Sequence, residues 1–492
     1  MLRRRAAALL FLAALGLFCF LRLRNIGHLL VWDEAQFVLY TRSLVEGTRD
    51  PYWFYWSRFF HLHPPVYLYL CSFLYRVDGG DPRAYEAISF LFSLGTFLVT
   101  WRLAVRLYGR RAGAWTAFFL AVATASTFFD TWIKQDAAAV FFSVLCVHLF
   151  MQERYLGSGV ALGLGMLSKE TAVFALLTLL AYSLAARDRR RLGGAVKAGL
   201  LAAAVSGWWY LFVSDYVRNF ARFFAGRGME AQAWRAPWGY YFSGLPADLG
   251  WVPFCLSMLG CLVCLRRYLK RDRKYALPLC WFLPTYLFLS FSTGKPYWMV
   301  SSALPALALL AALGAVSLLG WVRRGIRGRR AAAAGAAALA AALLLGSALG
   351  ACTTREADYN EGRNPDHWQQ AVNSRRDALF LKGAMRPGDR VAAIFNSSDM
   401  WDPTFTYYLG DVDLVPASHL FLKDPDAMAL EVRKRGIDWI YIGIYVSAEQ
   451  EFQQYDQDLR YFLARLPLLL EARGFYQTGW SVMIELEEGQ GE

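Results

Sequence analysis

The sequence predicts a polytopic α-helical membrane protein, with about eleven transmembrane helices plus interfacial helices over residues 1–350 and a small soluble α/β domain over residues 351–492. Three observations carry this. Of 492 residues, 56% are hydrophobic and 16% aromatic, and the mean hydropathy is +0.27. That is too apolar for a water-soluble globule, and apolar runs recur at roughly the 20-residue length a bilayer requires. The net charge is +13, but it is unevenly spread: residues 351–492 hold 14 basic and 23 acidic residues, and the first 350 hold 38 and 16. The basic excess sits in short loops between apolar runs, so it reports membrane topology and excludes a nucleic-acid footprint. Past Cys352, finally, the apolar runs give way to short alternating strand and helix patterns.

In order, Met1-Leu-Arg-Arg-Arg5 precedes the apolar run Ala6 to Leu21. No small-residue cleavage site follows, so this reads as a retained signal anchor with a cytoplasmic N-terminus. Val66 to Leu74 is too short to span and reads as an interfacial helix. Ten further spans are expected at about 84–107, 112–130, 137–151, 157–168, 171–186, 195–213, 249–265, 275–292, 298–322 and 331–350. With that choice the densely basic loops at 106–111, 187–191, 266–274 and 323–330 all fall on the cytoplasmic side, and the tail emerges on the other. In the tail, Arg390 to Phe395 and Trp439 to Gly443 read as strands and Pro425 to Arg435 as a helix. Gly474 to Glu485 reads as a closing strand or hairpin. Seven of the eight cysteines lie in or beside apolar segments, so no disulfide framework is expected.

The same walk gathers ionisable residues on the non-cytoplasmic face: Asp33, Glu34, His61, His63, Lys134, Asp136, Lys169, Glu170, Lys295, and with them Tyr297. Charges at a bilayer boundary are costly and tend to face functional cavities. A carboxylate such as Asp33 can serve as general base toward a hydroxyl or amine. Lys169 and Lys295 can meet phosphate oxygens as point charges. Adjacent carboxylates and histidines can also hold a divalent metal, with Glu34 as one ligand. Each residue has a plainer reading too. The lysines can snorkel at helix ends, the histidines can be ordinary interfacial residues, Asp136 can cap its helix, and Tyr297-Trp298 can belong to the aromatic belt.

Five features together resemble the polyprenyl-phosphate-dependent membrane glycosyltransferases of the GT-C type, the group of the protein O-mannosyltransferases and the lipid A aminoarabinose transferase. They are Asp33-Glu34 after the first span, His63-Pro64-Pro65 before an interfacial helix, Lys134-Gln135-Asp136 opening a span, Ser168-Lys169-Glu170, and Gly294-Lys295-Pro296-Tyr297. The resemblance covers roughly residues 1–320. It implies inverting transfer of a sugar from a polyprenyl-phosphate donor to a glycan, lipid or protein acceptor on the non-cytoplasmic side of the membrane. The Ala- and Arg-rich composition separately suggests a bacterium with a GC-rich genome, hence an inner membrane and periplasm. Asp33 matches the catalytic carboxylate, with Glu34 supporting it or helping to hold a metal. His61 and His63, Lys134, Asp136, Lys169, Glu170, Lys295 and Tyr297 fall near the positions expected around the donor. Where relatives often carry an arginine at the start of the second span, this chain has Tyr85-Glu86-Ala87, with Arg83 slightly earlier. A lipid-linked glycan transporter or flippase, and a non-catalytic envelope scaffold, are the competing functions. A transporter would want charges near the midplane and repeated halves, whereas these charges cluster at one boundary.

Overall fold

A computed structural model describes residues 2–31, 33–47, 64–212, 235–326, 328–363, 365–395, 402–417, 424–443, 459–466, 470, 472–478 and 481–486. The chain packs as two units, one of Met1–His28 with Arg58–Arg363, the other of Leu29–Ser57 with Asn364–Glu492.

The first unit is a bundle of helices. Its described elements begin with α1 (Leu2–Leu23) and, from the second unit, α2 (Asp33–Glu46). They continue with α3 (Pro65–Asp78), α4 (Pro82–Tyr108), α5 (Arg110–Val122), α6 (Thr124–Phe129), α7 (Asp136–Phe150) and α8 (Tyr155–Met166). Next come α9 (Val173–Ala185), α10 (Arg189–Phe212), α11 (Tyr240–Leu249), α12 (Trp251–Leu269), α13 (Ala276–Phe291), α14 (Leu304–Gly325), α15 (Arg329–Thr353) and α16 (Glu356–Arg363). Among the described residues five helices are long and apolar enough to cross a membrane: Arg5–Leu23, Pro82–Tyr108, Trp251–Leu269, Tyr297–Gly325 and Arg330–Thr353. The expected span at 195–213 falls on the 24-residue α10, and the remaining ones are shorter or interrupted. The run expected at 112–130 is two helices, α5 and α6, meeting at Ala123, whose extended backbone (φ −63°, ψ 117°) breaks the ladder. The short apolar helices Asp136–Phe150, Tyr155–Met166 and Glu170–Ala185 follow it.

The bundle is centred on α14. All of Leu304 to Ala315 is buried, and α14 packs on α12 and α5. Small residues allow this closeness. A Cβ at Gly260 of α12 would run into the backbone carbonyl of Leu310, and one at Gly314 into that of Leu256. Close backbone approach at small residues is how membrane helices gain dispersion contacts without a hydrophobic driving force. The eight cysteines are all free.

The second unit holds a five-stranded sheet. It is built from β1 (Arg390–Phe395), β2 (Asp413–Ala417), β3 (Trp439–Gly443), β4 (Ala472–Gln477) and β5 (Ser481–Leu486), in the order β2-β1-β3-β5-β4. The β1 strand pairs parallel with β2 and β3, and β5 runs antiparallel to both β3 and β4. Helices α17 (Pro365–Ala384), α18 (Pro403–Leu409) and α19 (Pro425–Arg435) accompany it. The core of Ile394, Met428, Val432, Ile440, Ile442 and Ile484 is apolar throughout. Helix α19 starts where Asp424 accepts from the Ala427 amide, with Pro425 at its first position, and stops at Gly436 in the left-handed region. Those are the residue types that helix ends require.

Candidate active site

The site in the first unit is built on the loop 130–135, between α6 and α7. The loop is tied by two helices, α4 and α1. Ser89 and Ser93, one turn apart on α4, donate to the carbonyls of Trp132 (2.7 Å) and Asp130 (3.3 Å). From α1, the fully buried Arg22 donates Nε to Asp130 Oδ2 at 2.9 Å. Its Nη2 reaches the Leu120 carbonyl (3.1 Å) and Ser126 Oγ (2.9 Å), and Nη1 bonds the Ala121 carbonyl. The carbonyls of Leu120 and Ala121 are orphaned by the break at Ala123, and a guanidinium fork satisfies them while neutralising Asp130. A small cavity lies alongside, its polar lining residues being Ser93, Thr96, Ser126, Asp130, Asp136 and Ser301. Among the described residues the buried Thr96 and Ser301 hydroxyls have no hydrogen-bond partner.

At the end of the loop Lys134 is buried among aromatic rings. Its Nζ lies 3.6 Å from the ring centroid of Trp298 and 4.8 Å from that of Trp132. Tyr297 packs edge-on to both, at 6.2 Å from Trp132 and 5.2 Å from Trp298. Such rings hold a cation without neutralising its charge. Two residues on, Asp136 opens α7 and accepts both of its contacts from Lys169 Nζ, at 2.8 Å each. Val66, at the start of α3, donates its amide to the Leu167 carbonyl at 3.0 Å. The end of the His63-Pro64-Pro65 motif thus lies beside the Ser168-Lys169 turn. Glu170 begins the short 3₁₀ turn Glu170–Ala172 that follows.

Lys295 lies in the turn before Tyr297. It donates to the carbonyls of Ala236 (2.9 Å) and Ser292, pinning the turn that presents Tyr297. Burial lowers its pKa. Arg83 is exposed at the head of α4. The buried residue there is Glu86, which accepts from the Gly27 amide at 2.7 Å and lies 3.1 Å from His28 Nδ1. His61 and His63 lie outside the described residues.

Asp33 and Glu34 head α2, in the second unit, although they sit among the residues that the sequence groups with the membrane part. Glu34 is fully buried and accepts from the Val31 amide at 3.1 Å, while its own amide donates to the Val31 carbonyl at 2.7 Å. Its carboxylate closes the first turn, where the helix dipole favours negative charge. Asp33, beside it, is half-buried. Helix α2 packs on α18: the Leu30 amide donates to Tyr408 Oη (3.1 Å), and Arg42 pairs with Asp411 at 2.6 Å. No group of three or more His, Cys, Asp or Glu side chains that could hold a metal occurs among the described residues. Glu34, a metal ligand in one reading of the sequence, accepts from the Val31 amide with Oε2.

Sequence reasoning missed a second polar cluster. Asp248 of α11, in the loop region before α12, lies 3.4 Å from Arg363 Nε and accepts from Tyr359 Oη at 2.9 Å. Burial pushes the Asp248 carboxyl up to about 6, against the pull of Arg363 and Tyr359. On Arg363 burial acts to lower the pKa, and Asp248 together with Tyr359, Tyr240 and Tyr286 raises it overall. Both Arg363 and Tyr359 belong to α16, which the sequence assigns to the soluble tail. Its signal was an acidic, Tyr- and Asn-bearing stretch directly after the last apolar run, where a disordered linker would have been more polar throughout.

Known proteins bear on these elements. Residues 62–209 match the family of dolichyl-phosphate-mannose-protein mannosyltransferases. An uncharacterized protein of Aquifex aeolicus (strain VF5) is 28% identical over 253 residues, half of this chain and 58% of that protein's length. Among solved structures, ArnT from Cupriavidus metallidurans in the apo state aligns with TM-score 0.66 at 16% identity, over 98% of both chains. The same protein bound to undecaprenyl phosphate aligns with TM-score 0.63 at 16% identity, over 97% of both. The Archaeoglobus fulgidus oligosaccharyltransferase tethered to an acceptor peptide aligns with TM-score 0.58 at 13% identity, over 98% of this chain and 74% of that one. The fold of this chain is therefore that of the GT-C type membrane glycosyltransferases, with a mannosyltransferase-family match over residues 62–209.

Proposed function

We propose that this protein transfers a sugar from a polyprenyl-phosphate donor to an acceptor on the non-cytoplasmic face of a cell membrane, a bacterial inner membrane by composition. In this reading the N-terminus is cytoplasmic and the sheet-bearing unit periplasmic. The observation that carries it is the caged cation: Lys134 is held by Trp132 and Trp298, beside an Asp136–Lys169 pair. An ammonium lying over aromatic faces can also meet an anion, such as a lipid phosphate. Lys169 donates to both oxygens of Asp136, and Lys134 is the phosphate contact in this reading. Support also comes from ArnT, which shares the fold and has been solved with undecaprenyl phosphate.

Asp33 would act as general base, taking the proton of an acceptor hydroxyl or amine as it attacks the anomeric carbon. The bond from that carbon to the phosphate oxygen breaks on the opposite face, so the configuration inverts. The departing polyprenyl phosphate carries the electron pair, stabilised by Lys134. Glu34, locked into its helix turn, would hold Asp33 in place. The test is transfer from a polyprenyl-phosphate sugar in proteoliposomes. Asp33→Asn and Lys134→Met should each abolish it, and full transfer by Asp33→Asn would overturn the assignment of the base.

A further inference from the structure

Four of the polar side chains of α16 form two neighbouring pairs. Glu356 and Asn360 stand four residues apart and so lie one above the other on the helix surface, as do Tyr359 and Arg363 beside them. Tyr359 and Arg363 fasten the helix to Asp248 of α11. Tyr240 of α11 adds a bond from its Oη to the Arg363 carbonyl at 3.0 Å, and its ring lies 4.7 Å below the guanidinium. The other pair reaches the opposite way. Trp132 donates Nε1–H to Glu356 Oε1 at 2.8 Å, and Tyr297 donates Oη–H to Asn360 Oδ1 at 2.9 Å. The Tyr359 ring fills the space between, 5.4 Å from Phe128 and 6.2 Å from Tyr297.

Trp132 and Tyr297 belong to the aromatic wall around Lys134. A buried indole held only by packing can tilt, and a tilt moves the ring face away from the ammonium. A hydrogen bond to a carboxylate is short, directional and about twice the strength of a neutral one. It also draws the N–H proton toward Glu356, which enriches the ring's π-face toward Lys134.

We propose that α16 is a positioning element of this site: through Glu356 and Asn360 it sets the orientation of Trp132 and Tyr297, and with them the place where Lys134 meets the donor's phosphate. This rests on the function proposed above, and it makes Glu356 and Asn360 positioning residues. A merely structural pin would lower melting temperature and leave lipid-phosphate affinity alone. A positioning pin does the reverse.

The experiment is binding of undecaprenyl phosphate to the full chain in nanodiscs, together with donor KM and kcat. Glu356→Ala and Trp132→Phe delete the same bond, so each should weaken binding about tenfold, and the double variant no more than either. Glu356→Gln, which keeps the acceptor, should bind within about threefold of the unchanged protein. Asn360→Leu gives an independent reading of the second pin, with about a tenfold rise in donor KM and little change in kcat. Unchanged binding by Glu356→Ala or Asn360→Leu would overturn the proposal, as would multiplying effects of Glu356→Ala and Trp132→Phe. If Glu356→Ala misfolds, Asn360→Leu and Trp132→Phe carry the test. Failure of the unaltered protein to bind undecaprenyl phosphate would instead sink the function itself.

Discussion

Lys169 aims its ammonium at both carboxylate oxygens of Asp136, 2.8 Å from each, across the turn between α8 and the 3₁₀ helix at 170–172 and the head of α7. Both side chains are more than nine-tenths buried. Removing one member of such a pair strands the other in a low-dielectric interior, at about 3–5 kcal/mol. Lys169→Met should therefore lower the melting temperature of the purified protein sharply. Combining it with Asp136→Asn should recover most of that loss, because the stranded charge is gone. Equal melting of the single and double variants would show that the pair contributes little.

Arg22 makes a second prediction. Its guanidinium serves Asp130, Ser126 and two carbonyls at once. Arg22→Lys keeps the charge but cannot reproduce the planar fork. It should destabilise by about 2 kcal/mol or more, a loss traceable to the unpaired carbonyls at the α5–α6 break. Thermal unfolding monitored by fluorescence would check this, and a lysine variant as stable as the parent would refute it.

The α12–α14 crossing gives a third. Gly260→Ala and Gly314→Ala each place a methyl against a backbone carbonyl of the facing helix. A carbonyl cannot swing aside as a side-chain end can, so the helices must separate. Each variant should cost about 1–3 kcal/mol, measured as loss of folded yield and a lower melting temperature. By contrast, Gly350→Ala meets nothing within 4 Å and should be neutral.

The fourth concerns pH. The Asp248 carboxyl titrates near 6 in the folded protein, above the ordinary 3.8, because burial disfavours its charge. The folded state therefore binds more protons than the unfolded one between those values, and stability falls as pH rises through about 4 to 6, then levels off. Asp248→Asn removes this dependence. Melting temperatures of the two proteins, compared from pH 4 to 7, should diverge as pH rises, with the wild type losing ground. Parallel curves would contradict the assignment.

The membrane architecture was legible because its signals are local. Apolar run length and the arginine-rich loops need no tertiary knowledge, and the α19 boundaries follow from Asp424, Pro425 and Gly436 alone. Lys134, Asp136 and Tyr297 were legible as chemistry-bearing residues at span ends. The partners were not. Nothing in the sequence says that Trp298 lies over Lys134, that Lys295 turns to the carbonyls of Ala236 and Ser292, or that Arg22 bridges a break at Ala123. These depend on which helices become neighbours. The break itself was hidden because Thr124 to Phe129 continues the apolar run. An Asp-Glu pair likewise does not reveal that Glu34 closes its own helix turn. The polar side chains of α16 escaped notice because the composition changes at Cys352, a little before the bundle's last contribution ends.

One consequence of the glycine contacts concerns traffic in the bilayer. Where Gly260 and Gly314 let two main chains touch, no hydrocarbon tail can thread between them and no shear can open a passage. That seam behaves as a weld, so under the proposed function a prenyl-tailed carrier would reach the bundle from another flank, where larger side chains can part.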